Sequence, residues 1–241
     1  MYLTDFHSHC LPNIDDGAND LKTSLAMLRA SAKQGVKRVV ATPHFYIGQH
    51  SVEEFLKDRQ KAYDEIKPHL TKGMPEVLLG AEVLIREGIS RHDLRPLCLQ
   101  DTDILLVEMP FAPPPYWLLE ELEALVNEQG LTLMFAHLDR YLAWYSNNQF
   151  DMLMDLPDAI MQVNADSVAD KRFFPSLLRH LPNTHRMVLG SDMHNTKDRI
   201  SRMEKAMKVL SKKREGRLWL ERIEQMTESL ETQDDDTEGL L

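Results

Sequence analysis

The chain has 241 residues and a net charge of −10 at neutral pH, a balance that disfavours nucleic acid as a partner, because phosphate contacts need a basic surface. No apolar run approaches the roughly 20 residues of a membrane span, and the first five residues, Met1-Tyr2-Leu3-Thr4-Asp5, lack the basic-then-apolar pattern of a secretory signal. Two cysteines cannot build a disulfide framework, so the sequence predicts a cytoplasmic chain whose 43% hydrophobic residues supply one sizeable core.

The first predicted element is an extended stretch, Asp5-Phe6-His7-Ser8-His9. Side chains alternate along a strand, so His7 and His9 share a face, and paired imidazoles suit a metal ion. A Pro12-Asn13 turn follows, and Asp15-Asp16-Gly17 returns a carboxylate to the same neighbourhood. Residues 20–34 carry Leu21, Leu25, Leu28 and Ala32 on one stripe, which predicts an amphipathic helix capped by Asn19 or Asp20 and ended by Gly35. Residues 36–42 read as a buried strand closed by Thr42-Pro43-His44. Ser51-Val52-Glu53-Glu54 is a capping box opening a helix through Phe55, Leu56, Ala62, Tyr63 and Ile66.

Two short apolar strands come next, residues 77–80 running into Glu82 and residues 104–107 running into Glu108. A loop containing Pro110, Pro113, Pro114 and Pro115 precedes a helix predicted over residues 117–129. Strands over 131–135, 160–163 and 187–190 lead to His137, Asn164 and Ser191-Asp192-Met193-His194, with helices predicted over 174–180 and 200–210. Lys212-Lys213-Arg214 and Arg217 form a basic cluster, read as a solvated helix face. Residues 228–241 hold six acidic residues and no basic one, and read as a disordered tail.

Seven apolar strands each ending in a polar residue, with helices between most of them, predict a parallel α/β sheet. A barrel is favoured over an open doubly wound sheet, whose ligands gather at one switch point rather than at nearly every strand end. The strand-end donors are His7, His9, Asp16, His44, Glu82, Glu108, His137, Asp192 and His194. All offer nitrogen or oxygen, which suits Mn, Fe or Zn, and shared carboxylates would let the set hold two or three ions. Ions grouped this way activate water and clamp a transferring phosphoryl group.

His7-Ser8-His9 with Asp15-Asp16-Gly17, Ala41-Thr42-Pro43-His44, Gly80-Ala81-Glu82, Glu108, Ala136-His137-Leu138-Asp139-Arg140-Tyr141 and Ser191-Asp192-Met193-His194-Asn195 together resemble the PHP (polymerase and histidinol phosphatase) family. Within it, the likeness is to the bacterial protein-tyrosine phosphatases of capsule and exopolysaccharide clusters, and it covers residues 3–210. The resemblance implies a distorted seven-stranded (β/α) barrel over residues 1–211, followed by a helix and the acidic tail over 212–241. It implies two or three divalent ions, Mn first, with Fe or Zn as alternatives. His7, His9, Glu82 and Asp192 would hold one ion; Glu82 would bridge to a second with Glu108 and His137; Asp16, His44 and His194 would hold the third. Arg140 and Arg199 match positions that hold the phosphate. The implied reaction is hydrolysis of phosphotyrosine in the tail of a bacterial tyrosine kinase, with no nucleic acid and no membrane insertion. Asp139 departs from a glutamate common in relatives, and the C-terminal part lacks their closing Asn-Pro signature.

A thiolate phosphatase needs an arginine six positions after its cysteine, but Cys10 is followed there by Asp16 and Cys98 by Ile104. Phe45, Tyr46, Tyr116, Trp117, Tyr141 and Trp144 follow strand ends and either line a mouth for a phenyl ring or pack in the core or on the surface. Histidinol phosphate hydrolysis, a nuclease and a metal-retaining module without catalysis remain as alternatives, and the oligomeric state is open.

Overall fold

The computed structural model describes residues 3–170, 172, 174–180, 186–212 and 214–237. The strands are β1 (Leu3–Ser8), β2 (Val36–Ala41), β3 (His44–Phe45), β4 (Glu76–Leu79), β5 (Glu82–Leu84), β6 (Ile104–Glu108), β7 (Thr132–Phe135), β8 (Ile160–Asn164) and β9 (Met187–Gly190). All pair in parallel, as β1-β2-β4 and β3-β5-β6-β7-β8-β9. β2 and β3 are two halves of one stave, interrupted at Thr42-Pro43, where proline has no N–H to give the ladder. β4 and β5 are likewise halves of one stave across Gly80-Ala81. The ring closes at a seam between its ends: Asp192 N–H donates to His7 O (2.8 Å) and His9 N–H to Met193 O (3.0 Å). Seven staves result, as expected for the distorted barrel.

Strand residues alternate between two environments. Phe6, Val40, Ile104, Leu106, Met134, Ile160 and Val188 form one buried cluster inside the ring. Their neighbours Val39, Leu105, Leu133, Phe135, Met161 and Leu189 pack outward against helices. This two-sided burial explains why the strands read as continuous apolar runs.

The helices are α1 (Leu21–Lys33), α2 (Val52–Ile66), α3 (Leu118–Asn127), α4 (Asn147–Met154), α5 (Ala165–Ala169), α6 (Phe174–His180), α7 (Met203–Leu210) and α8 (Arg214–Thr237). Asp20 caps α1 by accepting from Thr23 N–H at 2.6 Å, and Ser51 with Glu54 forms the capping box of α2. α4 was not anticipated; it starts at a Ser146–Gln149 capping box and buries only Phe150 and Leu153. The helix expected over 200–210 begins at Met203.

The end of the chain differs from the sequence expectation. α8 continues as helical backbone through Thr237, so the acidic stretch from residue 228 is not an unstructured tail over that length; residues 238–241 lie outside the described residues. Trp219, Ile223 and Met226, spaced one and two turns apart, are buried, and burial of this stripe anchors the helix. Met226 belongs to the cluster inside the ring together with Ile104 and Ile160, the first residues of their strands, so α8 covers the end of the barrel away from the strand-end donors. Gly216 permits this docking: a Cβ there would sit 2.4 Å from Leu210 O at the end of α7. No described helix is long and apolar enough to cross a membrane.

Candidate metal centre

Each strand-end donor lies at the carboxyl end of its stave, and Glu82 is the hub of the group. Its Oε2 is 3.2 Å from His7 Nε2, 3.3 Å from His9 Nε2 and 3.0 Å from His44 Nδ1, while Oε1 is 2.8 Å from His137 Nε2. His7 Nε2 and His9 Nε2 are themselves 3.1 Å apart, so the expected shared face is present. Asp192 Oδ1 lies 3.4 Å from His9 Nε2 and 3.8 Å from His7 Nε2. On the other side, Asp16 Oδ1 is 3.2 Å from His194 Nε2 and 3.5 Å from His44 Nε2, and Glu108 Oε1 is 3.4 Å from His137 Nε2. All nine donors therefore meet at one place.

The donors fall into three groups whose ligand atoms lie within 4.8 Å of one another: His9, Asp16, His44 and His194; His7, His9 and Glu82; and His44, Glu82 and Glu108. His9, His44 and Glu82 each belong to two groups, a more shared arrangement than the partition implied by the resemblance, in which only Glu82 bridges. His137 and Asp192 fall outside these three groups and sit on strained backbone, with φ of 32° and 49° in the left-handed region. Those turns aim both side chains back over the ring.

A second set of side chains holds the donors in place. Asp15 Oδ2 accepts from His9 Nδ1 at 2.7 Å and from His44 N–H at 3.1 Å, while its Oδ1 accepts from Gly17 N–H at 2.9 Å. Gln162 Oε1 accepts from His7 Nδ1 (2.9 Å) and His137 N–H (2.6 Å); its amide donates to Asn164 Oδ1 (3.0 Å), whose amide donates to Asp192 Oδ2 (3.2 Å). One chain of hydrogen bonds thus orients three donors. Gly190 gives it room, because a Cβ there would meet His7 Cβ at 2.5 Å and Gln162 Nε2 at 2.6 Å. Sequence reasoning missed Gln162 and Asn164 as site residues and gave Asp15 no role of its own. The available signal was two polar residues, at positions 162 and 164, on an otherwise apolar strand.

Arg140 and Arg199 converge on Asp192. Arg140 donates to Asp192 Oδ2, and Arg199 Nη2 lies 3.0 Å and 3.1 Å from its two oxygens. Arg199 Nη1 is also 3.6 Å from Asp16 Oδ2. The two guanidinium groups are 36% and 39% exposed, so both reach the solvent side of a buried cluster. Buried Asp139, the departure from the family glutamate, accepts from Asn164 N–H (2.9 Å) and Ser167 Oγ (2.6 Å), which fixes the turn carrying Arg140.

Charges follow from this crowding. Burial would push Asp192 up, but His9, His7 and Arg140 hold it well below the usual carboxylate range. Burial likewise opposes ionisation of Glu82, and the surrounding histidines outweigh it, keeping Glu82 well below its ordinary value. His9 is desolvated, yet Asp15, Asp192 and Glu82 raise it well above 6.5, and His137 is raised to about 9 against burial by Glu108 and Glu82. His194 falls to about 4 through burial and the neighbouring His9. Cys10 and Cys98 are buried, and burial pushes both thiols up to about 12, which leaves neither as a thiolate.

The donors fit divalent cations. Buried Glu82 Oε2, His44 Nδ1, His137 Nδ1 and His194 Nε2 have no hydrogen-bond partner of acceptable geometry, a cost of about 1–3 kcal/mol each if nothing else satisfied them. Ligand atoms held about 2.0–2.2 Å from a tetrahedral ion stand about 3.4 Å apart. The separations among His7, His9, Glu82 and Asp192 run from 3.1 to 3.8 Å and bracket that spacing.

Of the aromatics named from sequence, Phe45 and Tyr141 are buried in the core, and Tyr141 spends its hydroxyl on Met109 N–H and O. Tyr116 and Trp144 are exposed, at 89% and 46%. Tyr46 does meet the site, stacking on His44 with centroids 5.3 Å apart. Phe111, absent from that group, stacks on His137 at 5.4 Å.

Comparison with known proteins agrees with this geometry. The family model described as capsular polysaccharide synthesis, CpsB/CapC, matches residues 3–226. Tyrosine-protein phosphatase YwqE of Bacillus subtilis is 30% identical over 219 residues, 87% of this chain and 84% of that protein. Tyrosine-protein phosphatase CpsB of Streptococcus pneumoniae is 26% identical over 228 residues, 88% and 90% of the two chains. A crystal structure reported for YwqE from Bacillus subtilis and CpsB from Streptococcus pneumoniae, described as unique metal-dependent tyrosine phosphatases, superposes with a TM-score of 0.76 at 25% identity, covering 92% of each chain. With its donors at the strand ends and a family match running almost from end to end, the chain belongs to the CpsB/CapC family of capsular polysaccharide synthesis proteins.

Proposed function

We propose that this chain is a metal-dependent protein-tyrosine phosphatase that serves capsular polysaccharide synthesis in the cytoplasm by dephosphorylating the tail of a tyrosine kinase. The observation that carries the reading is the clustering of nine nitrogen and oxygen donors, with four imidazoles on Glu82 at its hub and two arginines beside Asp192. The relatives' names agree with it.

The three donor groups would hold two or three divalent ions, Mn first and Fe or Zn as alternatives. Bound there, such ions supply a water deprotonated near neutral pH and positive charge against phosphoryl oxygens. The protein's own work is positioning. Asp15 and Gln162 take the Nδ1 protons of His9 and His7, which turns the Nε2 lone pairs of both rings inward. Arg140 and Arg199 use part of their donor sets on Asp192, leaving further N–H groups to grip a phosphate in the planar, bidentate way of guanidinium. No protein nucleophile is required.

The test is hydrolysis of a phosphotyrosyl peptide, phosphoserine and histidinol phosphate by the protein supplied with Mn, Fe or Zn. The phosphotyrosyl peptide should be turned over with the highest kcat/KM. Faster turnover of histidinol phosphate would overturn the tyrosine-phosphatase reading.

A further inference from the structure

Beside the donor cluster the surface opens into a cavity of about 230 Å³, lined among others by Ile14, Asp16, His44, Tyr46, His50 and Phe55. Its chemistry is divided. Two of these residues, Asp16 and His44, are donors of one group, so one wall of the cavity is the edge of the metal centre itself. The floor is apolar, with Phe55 buried and Ile14 half-buried, and the outer rim is polar and exposed at His50.

Tyr46 joins wall to floor. Its ring lies nearly parallel to the His44 imidazole, with centroids 5.3 Å apart and 20° between planes, and it is half-buried, so part of its surface still faces the cavity. A flat apolar ring entering beside it would meet an aromatic wall at Tyr46 and the apolar side chains of Phe55 and Ile14. An ester oxygen on that ring would point toward Asp16 and His44. A short aliphatic ester reaching the same donors would leave the cavity unfilled.

Resting on the phosphatase reading above, we infer that this cavity is the aryl subsite of the enzyme: it takes the phenyl ring of a phosphotyrosyl residue against Tyr46, and the polar rim takes the adjoining backbone. Selection of aryl over alkyl phosphate monoesters then resides in Tyr46 and the cavity, separate from the arginines, which grip a phosphate on any ester. Ring packing of this kind is worth a factor of about ten.

The experiment uses the full chain loaded with Mn and two readouts. The first is the ratio of kcat/KM for phenyl phosphate to that for glycerol phosphate, in which any change in the fraction of loaded protein cancels. Tyr46→Ala should lower this ratio about tenfold, and Tyr46→Phe, which keeps the ring, should restore it. The second is calorimetric binding of phenylphosphonate against methylphosphonate, neither of which is hydrolysed. Tyr46→Ala should erase most of the preference for the phenyl compound. An unchanged ratio or an unchanged phosphonate preference in Tyr46→Ala overturns the subsite. Absence of turnover of both esters by the unsubstituted protein would overturn the phosphatase reading alone, and the phosphonate preference would still decide the subsite.

Discussion

Asp192 carries more partners than any other donor: three imidazoles, the Asn164 amide and both arginines approach its two oxygens. The arginines therefore have two possible values. If they were only partners of a carboxylate, partial exposure would limit each to about 0–1 kcal/mol. If they stabilise charge building on a phosphate, Arg140→Ala or Arg199→Ala should each lower kcat by roughly ten- to a thousand-fold, the loss of about 2–4 kcal/mol typical of such donors. Steady-state kinetics beside elemental analysis checks this, since metal content should hardly change. Most of these donors were legible in the sequence because they stand at or just after the end of a strand, a place where a charged residue has no packing reason to be, and Asp16 because a turn returns it there. Gln162 was not, because an amide on a buried strand reads equally well as a satisfied core residue. Its role exists only once β8 lies between β7 and β9, beside His7 and His137.

Among elements, α3 shows how one helix residue fixes a distant loop. Glu121, buried on α3, accepts from Gly88 N–H at 2.5 Å and Ser90 N–H at 2.9 Å, pinning the loop that follows β5. Burial would raise this carboxyl, but the Ser90 and Gly88 hydrogen bonds outweigh it and hold it below 4.5. A depressed carboxyl stabilises the fold above its unfolded value and loses that contribution as pH falls through its folded one. Glu121→Gln should therefore cost about 1–3 kcal/mol at neutral pH and progressively less in acid, read by denaturant unfolding across pH. Most helices were legible from stripes and caps. α4 was not, because Asn147-Asn148-Gln149 dilutes a stripe of only Phe150 and Leu153. α8 was underrated for the opposite reason: six acidic residues near its end drew attention away from Trp219, Ile223 and Met226, whose spacing already marked a buried face.

Over the whole molecule, the centre gathers buried carboxylates and imidazoles that a cation would reconcile. Ions at a hundred times their dissociation constant should add about 2.7 kcal/mol. For a domain of this size that is a rise in Tm of about 5–11 °C. Thermal unfolding with added Mn, and again with chelator, checks it; a Tm indifferent to both would contradict the assignment of these donors. His9 and His137, raised by their carboxylate neighbours, hold protons that a bound ion must displace, so the gain should shrink as pH falls. The seam between β1 and β9 has one more consequence, which concerns the order of synthesis. His7 and His9 are made among the first residues, while Asp192 and Met193, whose backbone groups hold them in the ring, come nearly two hundred residues later. A nascent chain emerging amino end first cannot assemble any donor group containing both ends until the last stave has left the ribosome. Incomplete products, carrying the paired histidines without their seam, are thus denied the group of His9, Asp16, His44 and His194, and filling of that group becomes a report that the last stave has been made.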